Sequence, residues 1–215
     1  MKRKLQRFSE IELFENVFQK ECHLKGKWNS EYFGKDAPIS LELGCGRGEY
    51  TLALYNRNPE NHFIGIDIKG ARLWRGAKSA HESNWKGIAF LRVQIESLMD
   101  YFEENEVSEI WITFPDPHSS QRRERKRLTN PRFLNYYYTI LKNGGLIHLK
   151  TDAQDLFDYS VQSIPTLKGK ILVEKRNVHD GQNQPDDILE VLTTYEKIFM
   201  KEGKPIHYFC YQIQK

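Results

Sequence analysis

Two short stretches hold most of the side chains that could do chemistry. Glu42-Leu43-Gly44-Cys45-Gly46-Arg47-Gly48-Glu49 sets three alternating glycines behind an acid, and Phe114-Pro115-Asp116-Pro117 fixes a carboxylate between two prolines. Alternating glycines let a chain turn sharply and let its backbone come close to a ligand. The third glycine arrives one residue too early for the dinucleotide fingerprint G-x-G-x-x-G, which argues against a nicotinamide enzyme. Asp67 closes a later apolar run, where a carboxylate can accept two hydrogen bonds from a ribose diol. A plainer reading keeps Asp67 as a helix cap and the glycines as a tight turn. The two prolines restrict the backbone around Asp116 and hold its carboxylate in one direction. Here the plainer reading is a rigid aspartate-capped turn.

These residues need elements to position them. Ile39–Leu43, His62–Asp67, Ile88–Val93, Val107–Phe114 and Leu146–Lys150 read as strands. Helical stretches fall between them: the glycine turn to about Asn56, about Lys69 to Ser83, Ser97 to Glu104, and Pro131 to Leu141 ending at Asn143-Gly144-Gly145. Strands that alternate with helices imply parallel β-α-β units and a doubly wound α/β sheet, whose ligands bind at the carboxyl ends of the strands. Further on, Ile171–Lys175 reads as a strand, Asn177–Asp187 as a polar mobile loop, Ile188–Met200 as a helix and Ile206–Ile213 as a last strand. At the other end, Ile11, Phe14, Val17 and Phe18 share a face of a helix predicted from Ser9 to Lys20, with Ser9 and Glu12 as its capping box. Asp36-Ala37-Pro38 is a turn. It divides a basic N-terminal segment with a short helix, residues 1–37, from a main domain over 38–215.

The 215 residues are 39% hydrophobic and 28% charged, a mixture that buries a core and excludes wholesale disorder. Cys22, Cys45 and Cys210 form no CxxC pair and no cluster with histidine, so neither a disulfide framework nor a zinc site is expected, and no metal is implied. No apolar run suits a signal peptide or a membrane span, and a cytoplasmic enzyme is the expectation. Cys45 reads as a small spacer, since no base adjoins it in sequence. The net charge of +3 decides little, but its distribution is uneven. Arg122, Arg123, Arg125, Lys126 and Arg127 crowd the stretch just after Asp116, and Lys2, Arg3, Lys4 and Arg7 form a second cluster. Cations beside a site that must receive a polyanion suit phosphate contact, whereas elsewhere such a run is a solvated loop. Tyr136-Tyr137-Tyr138 point in different directions on one helix and read as packing.

The segment from Glu42 to Gly48, with Asp67 after it, is similar to the E-x-G-x-G-x-G loop of class I methyltransferases. Phe114-Pro115-Asp116-Pro117, the basic run with Arg127-Leu128, Gly144-Gly145, Thr151-Asp152 and Thr193-Thr194-Tyr195-Glu196 follow in order. Together they resemble the bacterial tRNA (guanine-N7-)-methyltransferase family over nearly the whole chain. That resemblance implies a Rossmann-like, mostly parallel sheet of about seven strands with an antiparallel C-terminal strand. It implies S-adenosylmethionine bound by Glu42, Gly44, Gly46, Gly48, Asp67, Gln94 and Asp116, with Asp116 also catalytic. Gln94 stands where the family usually has Asp or Asn. It implies tRNA held by Asp152, Thr193, Thr194, Tyr195 and Glu196, with Arg122, Arg123, Arg125, Lys126 and Arg127 nearby. Ser120 replaces a family lysine and His118 a family tryptophan, and Arg122 or Arg123 could supply the missing cation. Without the family match, Glu196 reads equally well as the partner of a lysine. The implied target is a variable-loop guanine at position forty-six, whose N7 presents a free lone pair and needs no base to remove a proton. Two readings compete: a class I methyltransferase acting on a small molecule or protein, and a non-catalytic RNA-binding module.

Overall fold

The computed structural model describes residues 2–19, 22–180, 189 and 191–215, with side chains from residue 5 onward. One sheet of eight strands organises them: β1 (Val17–Gln19), β2 (Ile39–Leu43), β3 (His62–Ile66), β4 (Ile88–Arg92), β5 (Val107–Thr113), β6 (Leu141–Thr151), β7 (Gly169–Lys175) and β8 (His207–Ile213). Their order across the sheet is β1-β4-β3-β2-β5-β6-β8-β7. Every neighbouring pair is parallel except those that β8 makes with β6 and β7. The centre falls where the apolar runs are densest, and all five residues of β2 and of β3 are buried. Strands covered on both faces read as continuous apolar runs, as parallel sheets require.

The helices are α1 (Lys2–Ile11), α2 (Glu49–Arg57), α3 (Gly70–Glu82), α4 (Leu98–Tyr101), α5 (Pro131–Ile140), α6 (Gln154–Ser163) and α7 (Thr194–Lys201). The chain order reproduces the alternation expected from sequence, with several differences. The N-terminal helix lies earlier than predicted. It ends at Ile11, and Val17-Phe18 instead pair with Phe90-Leu91 as the eighth strand. The apolar spacing that suggested one helix serves two elements: Ile11 is buried beneath α1, while Phe18 meets Trp28 and Tyr32 edge-on at 5.1 and 4.9 Å. Trp28 is fully buried in the main core, so sheet and core both run across the boundary expected at residue 37.

The helix α5 starts as predicted, with Pro131 in its first turn and the Asn130 side chain accepting from the Arg132 N–H at 3.2 Å. It stops at Ile140, and β6 begins at the next residue. Asn143-Gly144-Gly145 therefore does not cap the helix. It lies where the β5–β6 register jumps between Val107↔Leu141 and Glu109↔Leu146, with Gly144 at φ 78°. The helix α6 was not anticipated, although Leu156, Phe157 and Ser160 are buried on one face of it. The polar loop expected over 177–187 lies outside the described residues from 181 onward, as do residues 188 and 190 of the helix expected from Ile188. The described part of that helix starts at Thr194.

On the helix side of β4, Phe90 shapes the packing of the site. A Cβ added to Gly48, Gly65 or Gly76 would come within 2.8 to 2.9 Å of its ring. The absence of those three side chains lets α3 and the glycine loop close over β3 and β4.

Candidate active site

The carboxyl ends of β2, β3, β4 and β5 open into one cleft of about 1080 Å³. The loop between β2 and α2 forms its floor. Gly44, Gly46 and Gly48 take φ of 75°, 55° and 70°, left-handed values that glycine adopts at no steric cost. The N–H groups of Gly44 and Cys45 both donate to the Ile66 carbonyl, at 2.8 and 3.0 Å, which ties the loop to β3. The three glycines serve different ends. A Cβ on Gly44 would meet nothing within 4 Å, and one on Gly46 only the Gly44 carbonyl at 3.9 Å, so both leave open space in the cleft. Gly48 is not among the residues lining the cleft, and it faces Phe90 and Gly76 instead.

Glu42 is only 3% exposed and is committed to the protein. Its Oε1 accepts from the Thr113 hydroxyl at 2.7 Å, and its Oε2 accepts from the Thr51 N–H at 2.8 Å and from the Thr51 hydroxyl. Burial pushes its pKa up to about 7; the bonds from Thr113 and Thr51 oppose the rise and the nearby Asp67 adds to it. Glu42 thus links β2, β5 and α2 beneath the cleft. Asp67 Oδ2 accepts from the Gly46 N–H at 3.0 Å and Oδ1 from the Lys69 N–H at 2.7 Å. Each oxygen keeps a lone pair for a further donor. Gln94 is exposed on the cleft wall just after β4.

Asp116 is exposed and lines the same cleft. Phe114 and His118, on either side of the Pro-Asp-Pro core, take φ of 47° and 43°. Two non-glycine residues in the left-handed region within one loop mark a strained backbone that its surroundings must hold. Arg127 is part of that support. It is 8% exposed, donates from Nε to the Pro117 carbonyl at 3.2 Å, and stacks over Tyr159 at 4.4 Å. Arg127, expected at a phosphate, is thus placed against the loop with little of its surface exposed. Arg122, Arg123, Arg125 and Lys126 are exposed on a short helical turn, Gln121–Lys126, and of these only Lys126 lines the cleft. Ser120 is exposed and stands outside the lining. His118 borders the cleft, and its imidazole titrates below the ordinary value. Burial is the main cause and the cations Lys126, Arg123 and Arg127 add to it, against the pull of Asp116.

The far wall comes from Asp152 and α7. Asp152 faces Lys204 at 3.6 Å. Thr193 caps α7 by accepting from the Glu196 N–H at 3.2 Å. Thr194 donates its N–H and its hydroxyl to the two oxygens of Glu49, at 2.6 Å each, which fastens α7 to the start of α2. Tyr195 is 44% exposed and lines the cleft. Glu196 does not. It is fully buried, both its oxygens lie 2.8 Å from Lys150 Nζ, and His179 Nε2 lies 2.9 Å from Oε1. It was expected at the substrate, and the structure places it in the lysine ion pair that was its plainer reading. Glu49, Thr51, Thr113 and Lys150 were missed by sequence reasoning, since hydroxyl and lysine partners far along the chain leave no local pattern. Cys45 is buried among carboxylates, and its thiol pKa lies well above the ordinary value, as suits a spacer. Tyr137 is fully buried, in keeping with a packing role.

This strand order, with the cleft at the carboxyl rim, is the fold of the class I methyltransferases. The 16S rRNA methyltransferase KamB shares the fold with a TM-score of 0.66 at 12% identity, over 88% of this chain and 92% of that one. An antibiotic-related methyltransferase does so at 0.64 and 18%, over 91% and 97%. A family described as "Putative methyltransferase" matches residues 36–209. The tRNA (guanine-N(7)-)-methyltransferase of Christiangramia forsetii is 45% identical over 99% of both chains. That of Bacillus subtilis is 32% identical over 85% of this chain and 84% of its own. The chain belongs to the tRNA (guanine-N7-)-methyltransferase family. Among the described residues, no helix is long and apolar enough to cross a membrane, and no cluster of His, Cys, Asp and Glu could hold a metal ion.

Proposed function

We propose that the cleft binds S-adenosylmethionine and transfers its methyl group to N7 of a guanine in tRNA, the variable-loop guanine at position forty-six. The observation that carries this reading is an exposed carboxylate, Asp116, held by a strained Pro-Asp-Pro loop in the same cleft as Asp67 and two open glycines. The residues fit the donor. Gly44 and Gly46 leave their Cβ space clear, and Asp67 keeps acceptor capacity beside them. The volume of about 1080 Å³ lies just above the roughly 300–1,000 Å³ common for ligand sites, enough for a nucleoside donor and an acceptor base together.

When bound, the donor supplies an electrophilic methyl carbon. The protein's task is alignment and exclusion of water, since guanine N7 has no proton to lose. Asp116 accepts hydrogen bonds from guanine N1–H and N2–H₂, which selects guanine over adenine and offsets the positive charge that develops on the purine. Asp152 assists from the opposite wall. His118, neutral near pH 7, adds no charge of its own to the site.

The test is incubation of undermodified tRNA with methyl-labelled donor, followed by mapping of the modified base. N7-methylguanosine in wild type and its loss in Asp116→Ala support the reading. Label on small acceptors or protein but not on tRNA favours the alternative class I activity and sinks this one. Near-normal turnover in a folded Asp116→Ala variant removes Asp116 from the mechanism.

A further inference from the structure

Arg7, Arg47, Lys69, Arg72 and Arg75 all line the cleft, and all five are exposed. They come from three separate places: α1, the glycine loop and the start of α3. Arg72 and Arg75, three residues apart on α3, share one face of the helix, and Lys69 stands at its N-cap. Fold stability does not explain them. The first turn of α3 holds no acidic residue, and cations there oppose the helix dipole. Among the described residues, Arg47, Lys69, Arg72 and Arg75 have no ion-pair partner. The next cation along α3 behaves differently. Lys78 does not line the cleft; it lies 3.7 Å from Glu82 and 5.1 Å from the centre of the Trp74 ring. Between residues 69 and 82, the cations without an ion-pair partner are those that border the cleft. Trp74 also brings α1 into the same rim, since Glu10 accepts from its Nε1 at 2.8 Å and Arg7 stacks over its ring at 4.8 Å.

We propose that this rim is a second phosphate track for RNA, distinct from the basic turn at 121–126. Lys69, Arg72 and Arg75 follow β3 and the basic turn follows β5, with β2 between those strands; Arg47, in the loop after β2, and Arg7, in α1, complete the first group. Cations thus bracket the cleft while the carboxylates of Asp67 and Asp116 lie between them. The donor carries one carboxylate and no phosphate, so it cannot account for five cations. A polyanion with repeated phosphates can, and its binding falls steeply with salt. That the polyanion is tRNA rests on the functional reading above.

The test compares the wild-type protein with Arg72→Gln/Arg75→Gln, and with Lys78→Gln as an off-cleft control. Binding of unmodified tRNA is measured between about 50 and 200 mM KCl. Donor affinity is measured separately by calorimetry. The double variant should bind tRNA roughly tenfold more weakly, with its salt slope reduced by about one to two, from ~0.7–0.9 for each phosphate that is no longer neutralised. KM for tRNA should rise in step, donor affinity should hold, and the Lys78 variant should match wild type. Unchanged tRNA affinity and slope in the double variant overturn the proposal. So does a parallel fall in donor affinity, or competition by poly-glutamate as strong as that of tRNA. If wild type binds tRNA without methylating it, and the double variant still lowers the slope, the rim stands and the functional reading falls. If wild type methylates and the double variant binds normally, the reverse holds.

Discussion

Replacing Glu196 by glutamine removes one charge of a buried pair while keeping its shape. Lys150 and Glu196 are both fully buried, with Nζ 2.8 Å from each carboxylate oxygen. The ammonium also donates to the Leu189 carbonyl at 2.6 Å, and that bond survives the change. An uncompensated buried charge costs about 3–5 kcal/mol. The glutamine carbonyl still accepts one bond, which puts the expected loss near 3 kcal/mol at neutral pH. The loss should depend on pH. Burial already holds the Lys150 pKa below its ordinary value, and the Glu196 charge limits that fall. Without the charge it falls further. The unfolded chain then binds more protons than the folded one between that lowered value and about 10.5, so stability rises with pH through this window. The penalty is present in full below the folded pKa and fades as pH approaches the unfolded one. Urea unfolding at about pH 7 and about pH 9.5 reads both quantities. The gap to wild type should be large at the lower pH and narrower at the higher. Lys150→Met/Glu196→Leu, which removes both charges, should regain most of the loss. A gap under about 1 kcal/mol at neutral pH, or one that does not change with pH, refutes the reasoning.

Glu42→Gln should flatten a different pH dependence. A carboxyl raised from 4.5 to about 7 costs stability as pH rises through that window, on the order of 3 kcal/mol in all. Urea midpoints should therefore fall less from pH 5 to pH 8 than in wild type, and equal slopes would exclude the effect. Arg127→Ala frees the Pro117 carbonyl, so kcat should drop by about tenfold or more while the salt slope of tRNA binding holds, because this guanidinium is buried. Gly48→Ala meets Phe90 at 2.8 Å from a left-handed backbone and should lose about 2–4 kcal/mol, whereas Gly44→Ala, with open space around it, should lose about 1–2 kcal/mol yet impair donor binding. Calorimetry and thermal melts separate the two. Glu49→Ala and Thr194→Val should be non-additive by about 1–2 kcal/mol in a double-mutant cycle of unfolding, and simple additivity would dissolve the clasp.

The sequence made legible what depends on local pattern. Glycine spacing located the loop floor, and the apolar runs located β2, β3 and β5 with Asp67 and Asp116 at their ends. Partners far along the chain were not legible. Lys150 and Glu196 are 46 residues apart, and Glu49 and Thr194 are 145. Arg127 looked like the other cations of its run, and only its stacking on Tyr159 distinguishes it. β1 is three residues long and rides on α-type spacing, so sheet pairing decided a segment whose local preference pointed elsewhere. The helix α6 had a readable signal in Leu156, Phe157 and Ser160, but the polar residues among them diluted it. The cations of α3 were spread through an amphipathic helix and never formed a run, so their convergence with Arg7 and Arg47 emerges only in three dimensions.

Phe90 gives that loop a history as well as a shape. One ring fills the room of three missing side chains, at positions 48, 65 and 76. None of the three can gain even a methyl group while the ring stays, so drift at any of them is barred one step at a time. A smaller residue at position 90 would not free them alone: a Cβ at Gly76 still meets the Arg47 carbonyl at 2.7 Å, one at Gly65 the Thr51 hydroxyl at 2.9 Å, and Gly48 keeps a left-handed φ of 70°. The ring, the loop backbone and the Thr51 hydroxyl hold these glycines together, and the inherited motif is partly written in a strand that never touches the reacting atoms.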